Sequence, residues 1–400
     1  MFNPSRNYLR ELDIIRFISF FVVFIYHALM RIPPPTPGIS AAREAVWLGT
    51  FIVQRAGAFG VDMFFTLSAF LITSLLLEEY RATGGIQLGK FYARRILRIW
   101  PLYFTVVFLV FGAGWLLNER GLRPHFWPFV LLSPNWSWVA FGTPPTALQP
   151  LSAIIIFWSL GIEEQFYLLW PIVLRAVSPR RVRILAWGML VLAVVMRWTC
   201  DAWDLPQLWI YANTFARLDP IAVGLLVAAE WATLREDSLQ RPRYRLLGSW
   251  TTLALGVVGF LVAGYLWTTV ARGSLLSRKQ FNVVGFPLVA WSGYLVLFST
   301  LLLSQGKARA GRLFDGLAYL GKISYGLYVF HGLALGFAAL LVNGFYGVPE
   351  TLAFVPYEPM IVAGVLGLAL TLLTAHLSYR FLESPFLRLK GRFTALSAPS

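Results

Sequence analysis

Apolar residues run along this chain in blocks of about 20, the length that crosses ~30 Å of hydrocarbon, and polar residues gather in the short stretches between them. Ten such blocks can be read, near 12–31, 57–78, 99–118, 153–174, 184–200, 209–231, 247–269, 282–303, 318–342 and 359–379. The pattern predicts an all-α fold, a polytopic membrane helix bundle of about ten transmembrane helices. Residues 124–141, PHFWPFVLLSPNWSWVAF, hold three prolines and an asparagine, which suits a re-entrant or interfacial segment better than a crossing.

Composition agrees with the blocks. Hydrophobic residues make up 58% of the 400 and charged residues 13%, with a mean hydropathy of +0.65, too apolar for one soluble core. The net charge of +15 invites a nucleic-acid reading, but the cations lie in membrane loops and form no basic face on a soluble module. With ten spans and both termini cytoplasmic, most Lys and Arg fall on the cytoplasmic side, as the positive-inside rule requires. Arg31, Arg43, Arg55, Arg272, Arg278 and Lys279 depart from this, as anchors or as part of an anionic substrate site. The expected location is the cell inner membrane. A lone cysteine, Cys200, excludes an internal disulfide, and no cluster reads as a metal site. The expected division is one membrane domain over 1–392 and a short disordered tail over 393–400.

Against this background, ionisable residues inside the blocks stand out, because a charge at mid-bilayer costs roughly 2.5–3.5 kcal/mol on insertion scales. The stretch WSLGIEEQFY, Trp158 to Tyr167, holds two carboxylates and a glutamine. On a helix Ser159, Glu163, Tyr167 and Trp170 share one stripe, while Glu164 points about 100° away, towards a partner such as Arg217. Arg16 and His27 lie eleven positions apart on the first block, on nearly the same face, with Cα atoms roughly 16 Å apart along the axis.

Asp62 is expected at the depth of His27, where a carboxylate could fix the imidazole tautomer and leave His27 as a general base. Arg217 and Asp219 on the sixth block, and Ser324, Tyr325 and His331 on the ninth, could line the same cavity as substrate contacts. Arg94, Arg95 and Arg98 stand at the mouth of the third block, where forked guanidinium bonds suit phosphates. Each of these has a plainer reading. A membrane histidine can be interhelical glue, the arginines can be ordinary anchors, and Asp62, Glu163 and Arg217 can pair only with one another. Arg197, near a block end, is expected to snorkel.

Taken in order, Arg16 and His27 with ten residues between them, FFTLSAFLIT (64–73), RRILRIWP (94–101), WSLGIEEQFYLLWP (158–171), RLDPIAVG (217–224), SYGLYVFH (324–331) and FLESP (381–385) resemble the acyltransferase type 3 family of bacterial integral-membrane O-acyltransferases. The likeness covers nearly the whole chain. It departs at Ala69, where the family usually has glycine, and in the expected lack of a fused extracytoplasmic hydrolase-like domain, so that any second acyl carrier would be a separate protein.

The resemblance implies transfer of an acyl group, chiefly acetyl, from cytoplasmic acyl-CoA (acetyl-CoA as co-substrate) to a hydroxyl of a sugar, glycan or glycolipid acceptor. It marks Arg16, His27, Arg95 and Arg98 as functional; the residue pattern itself adds Arg94 on the donor, Asp62 and Glu163 as catalytic partners of His27, and Tyr167 among the substrate contacts. A transporter with an intramembrane proton relay is the rival reading. It lacks a pair of matching broken helices in the two halves of the chain.

Overall fold

The computed structural model describes residues 9–30, 40–143, 153–236, 244–271, 273–305, 311–347 and 357–393. Among them the regular structure is helical throughout: α1 Arg10–Ala28, α2 Ala41–Gly57, α3 Gly60–Thr83, α4 Leu88–Leu116, α5 Trp158–Ala176, α6 Val182–Ala202, α7 Leu218–Glu236, α8 Trp250–Ala271, α9 Arg278–Leu303, α10 Arg312–Lys322, α11 Ser324–Tyr346 and α12 Tyr357–Ser378, with shorter turns between. The chain is a multi-pass, all-α membrane bundle.

Each of the ten expected blocks coincides with a helix, and by length and composition eight of the segments can cross a membrane. The other two, α1 and α7, are 19 residues each and hold more charge: Arg10, Glu11, Asp13 and Arg16 on one, Asp219, Glu230, Arg235 and Glu236 on the other. α2 was not expected. It precedes α3 almost without a break and packs on α1, where Gln54 donates to the Tyr26 carbonyl at 3.2 Å.

Helix ends follow local chemistry. α3 stops at Gly84, whose φ of +73° opens the left-handed cap. α9 begins with a capping box in which Ser277 and Gln280 satisfy each other's backbone N–H groups.

Lipid tails are as apolar as leucine, so helices here associate through close packing rather than by escaping water. Gly224 of α7 shows this against α3. A Cβ there would lie 2.4 Å from the Thr66 carbonyl and 2.8 Å from the Ala69 methyl. The small residue in RLDPIAVG therefore makes room for Ala69, which is fully buried. Outward faces carry the reverse pattern. Ile184, Trp187, Val191, Val195 and Trp198 recur along one face of α6 and are all exposed, as a lipid-facing stripe requires.

The segment at 124–141 does not cross. It folds as a turn Arg120–His125 and two short helices, Phe126–Val130 and Pro134–Phe141, broken where Leu132 takes a φ of +55°. Its asparagine explains the burial. Asn135 donates to the Ala212 carbonyl at 3.1 Å and to Thr214 Oγ1 at 3.0 Å, and accepts from Gln165 Nε2 at 2.9 Å. A buried amide with its bonds made is inexpensive, and this one seats the broken segment on α5. Of the expected tail at 393–400, everything past Phe393 lies outside the described residues, as do Arg31 and Arg272.

Candidate active site

A cavity of about 360 Å³ opens between α1, α3, α4, α5 and α11. Arg16 reaches it from α1, Arg95 and Arg98 from α4, and Glu163 and Tyr167 from α5. Ser324 and Tyr325 border it from α11. These seven were candidates from the sequence, and the fold brings them together.

Cations occupy one end. Arg16 is held by Asp13 at 2.5 Å, one turn earlier on the same helix. Arg95 lies over the rings of Phe91 and Tyr167, 5.6 and 5.4 Å from their centres. Arg95 and Arg98 form no ion pair among the described residues, and Lys390 from the C-terminal segment joins them in the lining. Spacing one turn apart on α4 sets the two arginines on one face.

Further in, Ser68 Oγ donates to Glu163 Oε1 at 2.8 Å, and the Tyr167 hydroxyl lies 3.0 Å from Ser68 Oγ and 3.3 Å from Glu163 Oε2. Glu164 also faces the cavity, where Trp100 Nε1 donates to it at 3.2 Å. The expected Glu164–Arg217 pair is not formed. Tyr325 is braced by its hydroxyl on the Ile99 carbonyl at 2.9 Å. Ser68, Glu164, Tyr328 and Lys390 are lining residues that sequence reasoning did not assign. Ser68 lies within FFTLSAFLIT, one of the stretches that carries the resemblance, but Lys390 sits in an ordinary basic stretch that gives no signal.

Six candidates do not line this cavity: His27, Asp62, Arg94, Arg217, Asp219 and His331. Asp62 is not the orienter of His27. Its Oδ1 instead meets Arg217 Nη2 at 2.8 Å, both groups nearly without exposure, while the guanidinium lies 4.7 Å over Phe286 and 5.3 Å over Tyr211. Asp219 is likewise taken, by Arg197 at 3.0 Å, and Arg197 also donates to the Ala216 carbonyl at 2.7 Å. Arg197 does not snorkel; it is fully buried. The reason is the same in both cases: a buried guanidinium must find a carboxylate, and the nearest lie on adjoining helices. These two pairs hold α3, α6 and α7 together. Outside the bundle, Lys279 donates to Asp204 at 2.6 Å and holds that carboxyl below its usual range, so Lys279 is paired on the loop side.

His27 is not in the lining of this cavity, which also includes Val61, Phe64, Ser159 and Tyr328. The Phe64 and Tyr328 rings meet edge to face at 5.8 Å, and the Tyr328 hydroxyl is fixed 2.6 Å from Ser159 Oγ and 3.1 Å from the Ile156 carbonyl. Behind Tyr328 stand the two histidines. His331 Nδ1 is 2.6 Å from the Tyr328 carbonyl, His27 Nδ1 is 2.9 Å from the Val23 carbonyl, and His331 Nε2 is 3.3 Å from His27 Nδ1. Carbonyls only accept, so both Nδ1 atoms carry hydrogen when the rings are neutral, assigned from these partners. His331 then offers its Nε2 lone pair to the His27 Nδ1–H. The outcome is chemical: His27 Nε2 is left as a lone-pair nitrogen.

A family model described as an acyltransferase domain matches residues 9–380. The chain belongs to the acyltransferase type 3 family. Among similar curated proteins, O-acetyltransferase OatA of Staphylococcus aureus strain NCTC 8325 is 27% identical over 416 residues, which cover 98% of this chain and 58% of OatA. SACOL0978 of Staphylococcus aureus strain COL, named as a candidate O-acetyltransferase, is 26% identical over 376 residues, 88% of this chain and 57% of that one. The chain thus spans less than two thirds of the length of these relatives. No solved structure matches it. The family membership fits a membrane O-acyltransferase.

Proposed function

We propose that this protein transfers an acetyl group from cytoplasmic acetyl-CoA to a hydroxyl of a carbohydrate-type acceptor in the cell inner membrane, with His27 as general base. One observation carries the reading. A single helix presents Arg16 to a cation-lined cavity at one end and, about 16 Å along its axis, an imidazole whose Nε2 is free to take a proton. The donor is a polyanion on a long arm. Its phosphates rest on Arg95 and Arg98, and its arm runs past Glu163 and Tyr167 to the Phe64–Tyr328 closure. The thioester meets His27 once one of those two rings turns aside.

The step balances without a further reactant. His27 Nε2 removes the acceptor's hydroxyl proton as the oxygen attacks the thioester carbonyl, the new C–O bond forms, the C–S bond breaks, and the imidazolium returns the proton to the departing thiolate. In the acyl-histidine variant Nε2 itself carries the acetyl group between the two substrates. Resemblance to OatA favours acetyl as the acyl group.

The test is acetyl transfer by purified protein in liposomes, followed as thiol release from acetyl-CoA on addition of glycan acceptors. The only cysteine, Cys200, is buried, which keeps the background low. His27→Ala is expected to lose about 10²–10⁴ of the rate. Wild-type turnover by that variant removes His27 from the chemistry, and mass spectrometry of a quenched reaction separates direct transfer from an acylated histidine.

A further inference from the structure

Arg94 departs from its two neighbours in RRILRIWP, and the departure points past the family's own boundary. It does not face the cavity. Its Nη1 donates to the Phe393 carbonyl at 2.7 Å, and its Nη2 lies 3.4 Å from Glu79 Oε2. Glu79 is buried and is itself held by the Gln87 backbone N–H at 2.7 Å. The cap of α4 therefore fixes Glu79, Glu79 steadies Arg94, and Arg94 ties down the last described turn of the chain, Lys390–Phe393. That turn brings Lys390 into the cavity lining beside Arg95 and Arg98.

The charge balance there is uneven. Asp13 is taken by Arg16, and Glu163 and Glu164 are each hydrogen-bonded to side chains deeper in the cavity. Arg95, Arg98 and Lys390 have no ion pair among the described residues. Carboxylates share the lining, but none is in ion-pair contact with these three half-buried cations among the described residues, which leaves them able to take an added anion, and a phosphate can accept from several donors at once. Two arginines one turn apart can grip one phosphate with forked bonds. A lysine arriving from a separate segment adds a point charge from a different direction.

We propose that Lys390 is a third phosphate-binding cation of the donor site, set in place by Arg94 acting as a positioning residue. The inference rests on the acyl-CoA reading above and extends it to a residue ten positions beyond the matched 9–380. Arg94 acts on the donor only through the C-terminal turn.

Full-length protein in nanodiscs is assayed with acetyl-CoA and with acetyl-pantetheine, which lacks every phosphate. Lys390→Ala is expected to raise KM for acetyl-CoA about tenfold while kcat falls less than about twofold, with acetyl-pantetheine turnover matching wild type and Lys390→Arg restoring KM. Arg94→Ala should raise KM by a similar factor, and the double variant should be no worse than Lys390→Ala alone. An unchanged KM in Lys390→Ala, equal losses with both donors, or multiplying effects in the double variant overturns the proposal. Arg98→Ala separates the two levels of the argument. Weakened CoA binding there together with wild-type binding by Lys390→Ala sinks this inference alone, whereas wild-type CoA binding by both variants sinks the donor reading as well.

Discussion

His331 Nε2 stands 3.3 Å from His27 Nδ1, and its own Nδ1 is 2.6 Å from the Tyr328 carbonyl. The carbonyl fixes one imidazole, which then faces the other with a lone pair. This is the orienting role that a carboxylate fills elsewhere, here filled by a neutral ring in a place where a charge would be costly.

Removing the acceptor tests that role. His331→Leu is expected to lower kcat for acetyl transfer about 10- to 100-fold, the range seen when groups that orient a functional histidine are lost, with KM for acetyl-CoA little changed. His331→Gln, whose amide oxygen can reach the position of Nε2, should keep most of the rate. ¹⁵N spectra of histidine-labelled protein, which has only four imidazoles, should report the Nδ1–H form of His27 in wild type and, because the Val23 carbonyl still accepts that proton, a shifted but retained Nδ1–H in the leucine variant. Equal activity of the leucine and glutamine variants would remove His331 from the mechanism.

Asp62 and Arg217 form a structural pair, so their substitution should read out in stability before activity. Asp62→Asn leaves an uncompensated buried guanidinium, and breaking one side of such a pair costs about 3–5 kcal/mol. A marked fall in the unfolding midpoint in detergent is expected, with the double variant Asp62→Leu, Arg217→Met recovering much of it. A catalytic Asp62 predicts the contrary: a stable, inactive asparagine variant and no rescue.

The contrast between these two residues shows what could be read in the sequence. The places of the long apolar helices follow from hydropathy, because lipid tests every residue of a span in the same way. Thus α1, α5 and α11 lie where the apolar blocks fall, and Ser159, Glu163 and Tyr167 share the cavity face that helical spacing predicts, although Trp170 of the same stripe does not line the cavity and Glu164, expected to point away, does. Periodicity gives the face of a helix but not which neighbour it meets. The expected partner of Asp62 is not the one it meets, since Arg217 lies 155 positions on and only tertiary packing brings it near. Lys390 escaped notice for the same reason. α2 escaped for another: at 17 residues, with Arg43, Glu44 and Arg55 along it, its pattern is that of a loop until α1 and α8 cover it.

Gly224 sets how closely α7 approaches α3. Gly224→Val would drive its side chain into the Thr66 carbonyl and the Ala69 methyl, a clash that flexible atoms cannot relieve because the nearest one is backbone. Overpacking of this kind costs about 1–3 kcal/mol. The unfolding midpoint should drop, and Gly224→Ala should fall between valine and wild type. Equal midpoints for all three would mean that the two helices can part without loss.

Phe64 and Tyr328 line the cavity and Tyr328 also meets His331, so on the proposed donor path this ring pair stands before His27, and it makes a prediction that binding alone does not. Phe64 is only partly buried, so its ring has space to swing, whereas Tyr328 is pinned through its hydroxyl to Ser159 and Ile156. If the thioester reaches His27 by displacing Phe64, a larger ring at 64 should obstruct passage without touching the site of the phosphates. Phe64→Trp is therefore expected to lower kcat at least about tenfold while CoA affinity stays within about twofold of wild type. Phe64→Leu, smaller and free to turn, should retain transfer, and unfolding midpoints of the two variants guard against simple misfolding. Undiminished turnover in a well-folded Phe64→Trp protein would mean that donor and imidazole meet by another route.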